Sequence, residues 1–141
     1  MENNNSKVAI VTGASSGIGY ATSLALSKAG VRVAVGARRL DRLHELEEQI
    51  VKNSGEGKIG VGEGEEIFTQ RKLDVTSKSD CDSFVDTVIK KWGRIDILIN
   101  NAGLMPLSYF KNCKVNEWEQ MIDVNIKGVL LYFCSNPIYV R

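Results

Sequence analysis

At 141 residues, with 18 lysines and arginines against 17 aspartates and glutamates, the chain has the size of one domain and a formal charge of +1. That balance offers no electrostatic footprint for nucleic acid or an anionic membrane, and no apolar run approaches the roughly 18 residues of a bilayer span. The polar opening MENNNSK lacks the apolar stretch of a secretory leader, so a soluble cytoplasmic protein with small-molecule or protein partners is expected.

Residues 8–11, VAIV, are continuously apolar and largely β-branched, and Thr12-Gly13 ends them. This predicts a strand buried on both faces of a parallel sheet. A helix is expected from Ile18 to Lys28, with Ile18, Ala21, Leu24, Ala25 and Leu26 recurring near helical period and Gly30 placed to end it. Strand 31–37, VRVAVGA, leads to an amphipathic helix over 40–53 that carries Leu43, Leu46 and Ile50 on one face. Its His44 has no second ligand at a metal spacing and reads as a solvated residue. Residues 54–66, rich in glycine and acid with little to bury, read as a mobile surface loop.

Strand 67–75 is followed by a helix over 77–93, with Phe84, Val85, Val88, Ile89 and Trp92 facing inward and Gly93 ending it. Strand 95–100 and a loop holding Pro106 lead to a longer helix over 115–135, which Pro137 should stop. Strands alternating with helices in this way predict an α/β fold of about four βα units on a parallel sheet. Cys81, Cys113 and Cys134 show neither the close pairing of a metal site nor an even-numbered framework. They read as free thiols of a reducing compartment, and no metal is expected.

Right-handed βαβ crossovers bring the C-terminal ends of all the strands to one edge, where ligands of such sheets bind. The glycine turn lies on that edge. Gly13 allows the chain to turn sharply, while Gly17 and Gly19 take away side chains that would hold a pyrophosphate off the N–H groups at the helix N-terminus. Their spacing, Gly13-xxx-Gly17-x-Gly19, differs from the G-x-G-x-x-G fingerprint.

Thr12-Gly13-Ala14-Ser15-Ser16-Gly17-Ile18-Gly19 resembles the cofactor motif of the short-chain dehydrogenase/reductase family, and Asn100-Asn101-Ala102-Gly103 resembles its second signature. Asp74-Val75 resembles the family's adenine-contacting turn, and DVNIKG over 123–128 resembles the helix segment whose Asn, here Asn125, belongs to the catalytic tetrad. The resemblance covers residues 6–134 and implies the N-terminal part of a Rossmann-like doubly wound parallel sheet. It also implies a nicotinamide dinucleotide held by Gly13, Ser15, Ser16, Gly17, Ile18, Gly19, Asp74, Val75, Asn101, Ala102 and Gly103. The implied reaction is hydride transfer between that cofactor and an alcohol/carbonyl pair.

An NAD site usually places a carboxylate at the end of the second strand for the ribose 2′-hydroxyl. Here Ala37 stands near that position, and Arg38 and Arg39 follow, able to pair with a 2′-phosphate, so NADP is the expected cofactor rather than NAD. The family's acid/base is a Tyr with a Lys four residues later, helped by a Ser. Tyr20, Tyr109 and Tyr132 are followed at that spacing by Leu24, Cys113 and Asn136, and the position after Tyr139 lies beyond Arg141. Asn125 is thus expected to stand alone in an incomplete tetrad, with 135–141 a divergent tail of a truncated chain. Such a chain would leave strand 95–100 at a sheet edge. Helix 115–135, which the family places at its subunit interface, would turn an apolar face toward a second copy or a full-length relative. The expected reading is thus a cofactor-binding chain of this family type that is not catalytic alone, and two others stand beside it: a nucleotide-binding regulatory module, and an interaction protein that modulates a full-length relative.

Overall fold

The computed structural model describes residues 7–54 and 66–135. The body of the expected 54–66 loop, the tail from 136 and Pro137 lie outside the described residues. In chain order the elements are β1 (Val8–Thr12), α1 (Gly17–Lys28), β2 (Arg32–Ala37), α2 (Leu40–Ser54), β3 (Phe68–Lys72), α3 (Lys78–Trp92) and β4 (Ile97–Ile99). A 3₁₀ turn (Phe110–Asn112) precedes α4 (Val115–Ile122), and a π-helical turn (Asp123–Lys127) joins α4 to α5 (Gly128–Ser135).

Among the described residues the four strands pair in parallel in the order β3-β2-β1-β4. The central pair is aligned Val8 to Arg32 through Thr12 to Gly36, and every residue of both strands is buried. Burial on two faces explains the unbroken apolar runs. Val11, Val33 and Val35 pack toward Leu43, Leu46 and Ile50 of α2, whereas Val8, Ile10 and Ala34 pack toward Phe84, Val85 and Val88 of α3 and Tyr132 of α5. Alternate residues of each strand thus serve opposite cores, the doubly wound Rossmann-like arrangement.

The α3 boundaries follow from local chemistry. Ser77 Oγ accepts from the Asp80 N–H at the start, and Gly93, in the left-handed region at φ 74°, closes the end with its N–H on the Ile89 carbonyl. At the opposite edge from the glycine turn, the Asp96 carboxylate accepts from the Val8 N–H at 2.8 Å and from Arg94, which ties the start of β1 to the chain entering β4.

Three expectations are corrected. The inner face of α1 matches its apolar residues only in part: Leu24 and Leu26 are half-buried against the core, but Ile18 is 77% exposed, Ala21 and Ala25 are exposed, and the fully buried residues are Gly19 and Ser23. Ser23 can be buried because its hydroxyl donates to the Gly19 carbonyl at 2.8 Å, so a polar side chain lies against the sheet at no hydrogen-bonding cost. The edge strands are shorter than expected, β3 at five residues instead of 67–75 and β4 at three instead of 95–100, since each pairs on one side among the described residues. Helix 115–135 is interrupted by the π-helical turn, which holds Asn125.

Candidate functional site

Four chain segments at the C-terminal edge of the sheet, with Val124 of the π-helical turn as a fifth, line a cavity of about 510 Å³. Of the residues expected to form a site, Gly13, Ser15 and Ser16 line it from the turn after β1, Arg38 and Arg39 from the end of β2, Asp74 and Val75 after β3, and Ala102 and Gly103 after β4. Gly17, Ile18, Gly19, Asn101 and Asn125 do not line it. Gly36, Ala37, Leu73, Leu104 and Val124 do line it, and were not among the expected residues. Gly36 and Ala37 were reachable from their place at the end of a predicted strand, whereas Leu104 and Val124 carry no chemical signal in the sequence.

The turn after β1 is held from behind by the chain after β4. Thr12, 1% exposed, donates its hydroxyl to the Ile99 carbonyl at 3.4 Å and accepts from the N–H groups of Asn101 at 3.1 Å and Ala102 at 3.0 Å. Asn101 returns the contact, its Nδ2 donating to the carbonyls of Thr12 and Gly13, each at 3.1 Å. Asn101 is therefore a brace beneath the turn. The glycines divide by role on the same evidence. A Cβ on Gly13 would stand 2.7 Å from the Ala102 Cα, and one on Gly19 would stand 2.6 Å from the Gly13 carbonyl oxygen and overlap the Asn101 amide. Gly19 is thus required by packing inside the protein. Gly17 differs: its φ is +59°, and a Cβ there would meet nothing within 4 Å among the described residues.

Helix α1 begins directly behind this turn. Its N-cap, Ser16, makes no side-chain capping bond, and its first turn holds no acid. Its first N–H groups lack intrahelical partners by the geometry of any helix, so a positive helix end faces the cavity side without a neutralising carboxylate. Across the cavity, Arg39 Nη2 donates to Ser15 Oγ and Ser16 Oγ, each at 3.2 Å. Asp74 is held below the usual carboxylate range by bonds from the Thr76 hydroxyl at 2.7 Å and the Thr76 N–H at 2.9 Å, with the Arg38 charge adding to them. It is a charged, hydrogen-bonded turn residue.

Asn125 sits in the π-helical turn and takes both polar groups of the Leu104 backbone. Single π-turns inside helices recur at functional positions. Gly128, one turn on, leaves room for Val75, whose Cγ2 would lie 2.9 Å from a Cβ there. The helix carrying Asn125 is thereby packed against the residue after β3 that also lines the cavity.

Tyr132 is buried, and burial pushes its phenol far above its ordinary range, the nearby Cys81 and Asp80 adding to the shift. Cys81 is likewise buried, with its thiol pushed up to about 11 by burial and by Asp80 and Asp82. Tyr109 is exposed and Tyr20 half-buried on α1, while Tyr139 lies outside the described residues. Cys81, Cys113 and Cys134 are free. His44 is exposed and receives a bond from Gln70 Nε2 at 2.8 Å. Among the described residues no group of three or more His, Cys, Asp and Glu side chains could hold a metal, and no helix is long and apolar enough to cross a membrane.

The family model described as short chain dehydrogenase matches residues 7–135. An uncharacterized oxidoreductase of Staphylococcus saprophyticus is 45% identical over 141 residues, covering 100% of this chain and 52% of its own length. The alcohol dehydrogenase of the archaeon Thermococcus sibiricus, solved in complex with 5-hydroxy-NADP, is 30% identical and superposes with a TM-score of 0.82 over 96% of this chain and 53% of its own. A short chain dehydrogenase/reductase from Burkholderia phymatum, solved in complex with NAD, shares the fold at 21% identity, with a TM-score of 0.82 over 99% of this chain and 46% of its own. The chain spans about half the length of the curated relatives it matches.

Proposed function

The chain belongs to the short-chain dehydrogenase family of oxidoreductases, and on that premise we propose that its cavity holds a nicotinamide dinucleotide, NADP in preference to NAD. The observation that carries the reading is the charge set around the cavity: Arg38 and Arg39 line it beside Ala37, at the position where a carboxylate would receive a ribose hydroxyl. A guanidinium suits a 2′-phosphate, and among the described residues no acid stands at the end of β2 itself, the nearest lining acid being Asp74 after β3. The site fits an anionic dinucleotide in its donors too, because α1 presents an uncapped N-terminus beside a glycine with open space where a side chain would be.

In this reading residues 6–134 are the N-terminal part of an NAD(P)-binding domain. Gly13, Ser15, Ser16, Gly17, Ile18 and Gly19 form the turn and helix end that take the phosphates, although Gly19 does so through the packing of the turn. Asp74 and Val75 flank the adenine side, and Ala102 and Gly103, braced by Asn101, flank the ribose on the nicotinamide side. The nicotinamide ring supplies the hydride acceptor or donor for an alcohol/carbonyl pair. The chain's own contribution is binding and orientation, with Asn125 positioning the Leu104 backbone at the cavity wall. The 141 residues hold no Tyr followed four positions later by Lys, and a phenol without a neighbouring cation is a poor base near neutral pH. We therefore read this chain, on its own, as a binder of the cofactor that does not turn over.

Titration with NADPH and NADH tests the assignment. NADPH binds more tightly in the expected outcome, and Arg38→Ala narrows the difference by about 5–30-fold, the equivalent of roughly 1–2 kcal/mol for one charge-assisted contact. Equal affinities in the parent chain would overturn the NADP assignment. Turnover of ketones or aldehydes at about 1–10³ s⁻¹, lost in Asn125→Ala, would overturn the non-catalytic reading.

A second reading is favoured by one observation. Val115, Ile122, Ile126 and Leu130, on α4, the π-helical turn and α5, are each 47% to 56% exposed, apolar side chains suited to a second copy of this chain or a full-length relative that it would modulate. Loss of association on Ile126→Glu, measured by sedimentation, supports that reading, and a parent chain that neither self-associates nor co-sediments with a relative removes it.

A further inference from the structure

Arg39 follows the end of β2, yet its Nη2 reaches the hydroxyls of Ser15 and Ser16, 24 and 23 residues away in sequence. One guanidinium thereby ties the turn after β2 to the turn after β1. All three residues line the same cavity, so the tie spans it between two of its walls. Both acceptors are neutral hydroxyls, and among the described residues the Arg39 guanidinium has no carboxylate partner. Its neighbour differs in this respect, since the Arg38 charge acts on Asp74.

A cation bound to neutral hydroxyls at 3.2 Å makes bonds that a phosphate oxygen replaces with stronger and shorter ones. An uncharged hydroxyl in the same place replaces them with nothing better. We propose that the Arg39–Ser15–Ser16 tie is an autoinhibitory clasp, which a nucleotide carrying a phosphate at that point displaces with gain and a nucleotide lacking it displaces at a loss. This rests on the assignment of the cavity to a nicotinamide dinucleotide. Arg39 then selects twice: toward NADP by the contact it makes with the ligand, and against NAD by the contact it makes with its own chain.

The clasp is exposed, so its bonds are weak individually and the expected effect is modest, about two- to five-fold in NADH affinity. The experiment is titration of NADH and NADPH into four chains. These are the parent, Arg39→Met, which keeps the bulk of the stem and removes the donors, Ser15→Ala/Ser16→Ala, which removes the acceptors, and the combination of all three changes, so that any direct contact of the serines with the ligand cancels between the pairs. NADPH binding weakens in Arg39→Met, while NADH binding tightens in Arg39→Met and gains nothing from the same change once the serines are alanine, the opposite of what loss of a general positive charge would do. NADH affinity that is unchanged or weaker in Arg39→Met overturns the clasp and leaves the NADPH preference standing. NADH that tightens equally on Arg39→Met with and without the serines overturns it as well, because the serine bonds are then not what opposes binding. A parent chain that binds neither nucleotide overturns the cofactor assignment and the clasp together.

Discussion

Asn125 and Leu104 are joined twice: Asn125 Nδ2 donates to the Leu104 carbonyl at 2.8 Å, and the Leu104 N–H donates to Asn125 Oδ1 at 2.9 Å. A side-chain amide satisfying both polar groups of one distant residue replaces a strand pairing that β4, three residues long, no longer provides at that point. The loop after β4 is therefore anchored to the π-helical turn by a single side chain.

Asn125→Ala removes both bonds, with an expected loss of about 1–2 kcal/mol of local stability. Amide hydrogen exchange at residues 103–107 should speed by about tenfold, the factor that 1.4 kcal/mol corresponds to. Unchanged exchange would show that the loop is held by other contacts. Asn125→Asp, which keeps the acceptor and loses the donor, should fall between the two.

Thr12→Val preserves shape and removes the hydroxyl on which the Asn101 and Ala102 N–H groups converge. Two donors are then left under a buried turn, and the expected loss is about 2–3 kcal/mol of global stability. Denaturant unfolding reads it, and a change below about 0.5 kcal/mol would mean that the N–H groups find other acceptors.

Gly17→Ala and Gly19→Ala should separate folding from binding. At Gly19 a methyl group meets the Gly13 carbonyl and the Asn101 amide, both part of the braced turn, so stability falls by about 1–3 kcal/mol. At Gly17 the space is open, and the cost is the left-handed backbone alone, about 1–2 kcal/mol. Gly17→Val adds bulk at the helix end, and in a chain still folded by circular dichroism it should abolish nucleotide binding. Retained binding would make the turn a connector only.

Asp96 makes the fold sensitive to acid. Its pKa is lowered by the Arg94 side-chain bonds, opposed by partial burial, with the Val8 N–H adding to the lowering. A carboxyl depressed in the folded state contributes stability that is fully present above its unfolded pKa of about 4 and is lost as pH falls through the lower folded value. Asp96→Asn should therefore cost about 0.5–1 kcal/mol near pH 7, a small figure because the ion pair is largely solvated. The difference from the parent should shrink as pH falls below about 4 and vanish once the folded-state carboxyl is protonated. A constant difference across that window would assign the effect to packing.

Tyr132 keeps its hydroxyl buried with no partner among the described residues. Tyr132→Phe removes a desolvated polar group without changing the ring, and the free energy of unfolding should hold or rise by up to about 1 kcal/mol. A loss above that would show that the hydroxyl is bonded in solution.

Much of the architecture was legible in the chain itself. The runs 8–11 and 32–37 are apolar at every position but Arg32 and Gly36 because both sheet faces are covered, and α2 declares its buried face through Leu43, Leu46 and Ile50. Gly93 and Ser77 mark the ends of α3 by backbone chemistry that needs no distant partner. That the turns after the strands share one edge follows from the handedness of βαβ crossovers, while Asp74, Val75, Ala102 and Gly103 on that edge were named by the family resemblance of their motifs. These features depend on neighbours within a few residues or on the handedness of the chain, so sequence alone determined them.

Other features were decided by partners far along the chain. Glycine at 19 is required by the Asn101 amide, 82 positions later, and Ser23 is buried because of where α1 comes to rest, a placement its evenly spread alanines and leucines did not announce. The π-helical turn lies where Asn125 meets Leu104 and ends beside Gly128, which lies against Val75, contacts with residues 21 and 53 positions earlier in the chain. In sequence Arg39 reads as a partner for a 2′-phosphate, and only the approach of the turn after β1 gives it Ser15 and Ser16 as partners within the chain. Local propensity and period are properties of short windows, whereas which atoms touch across the sheet edge is a property of the closed fold, and there the tertiary structure alone decided.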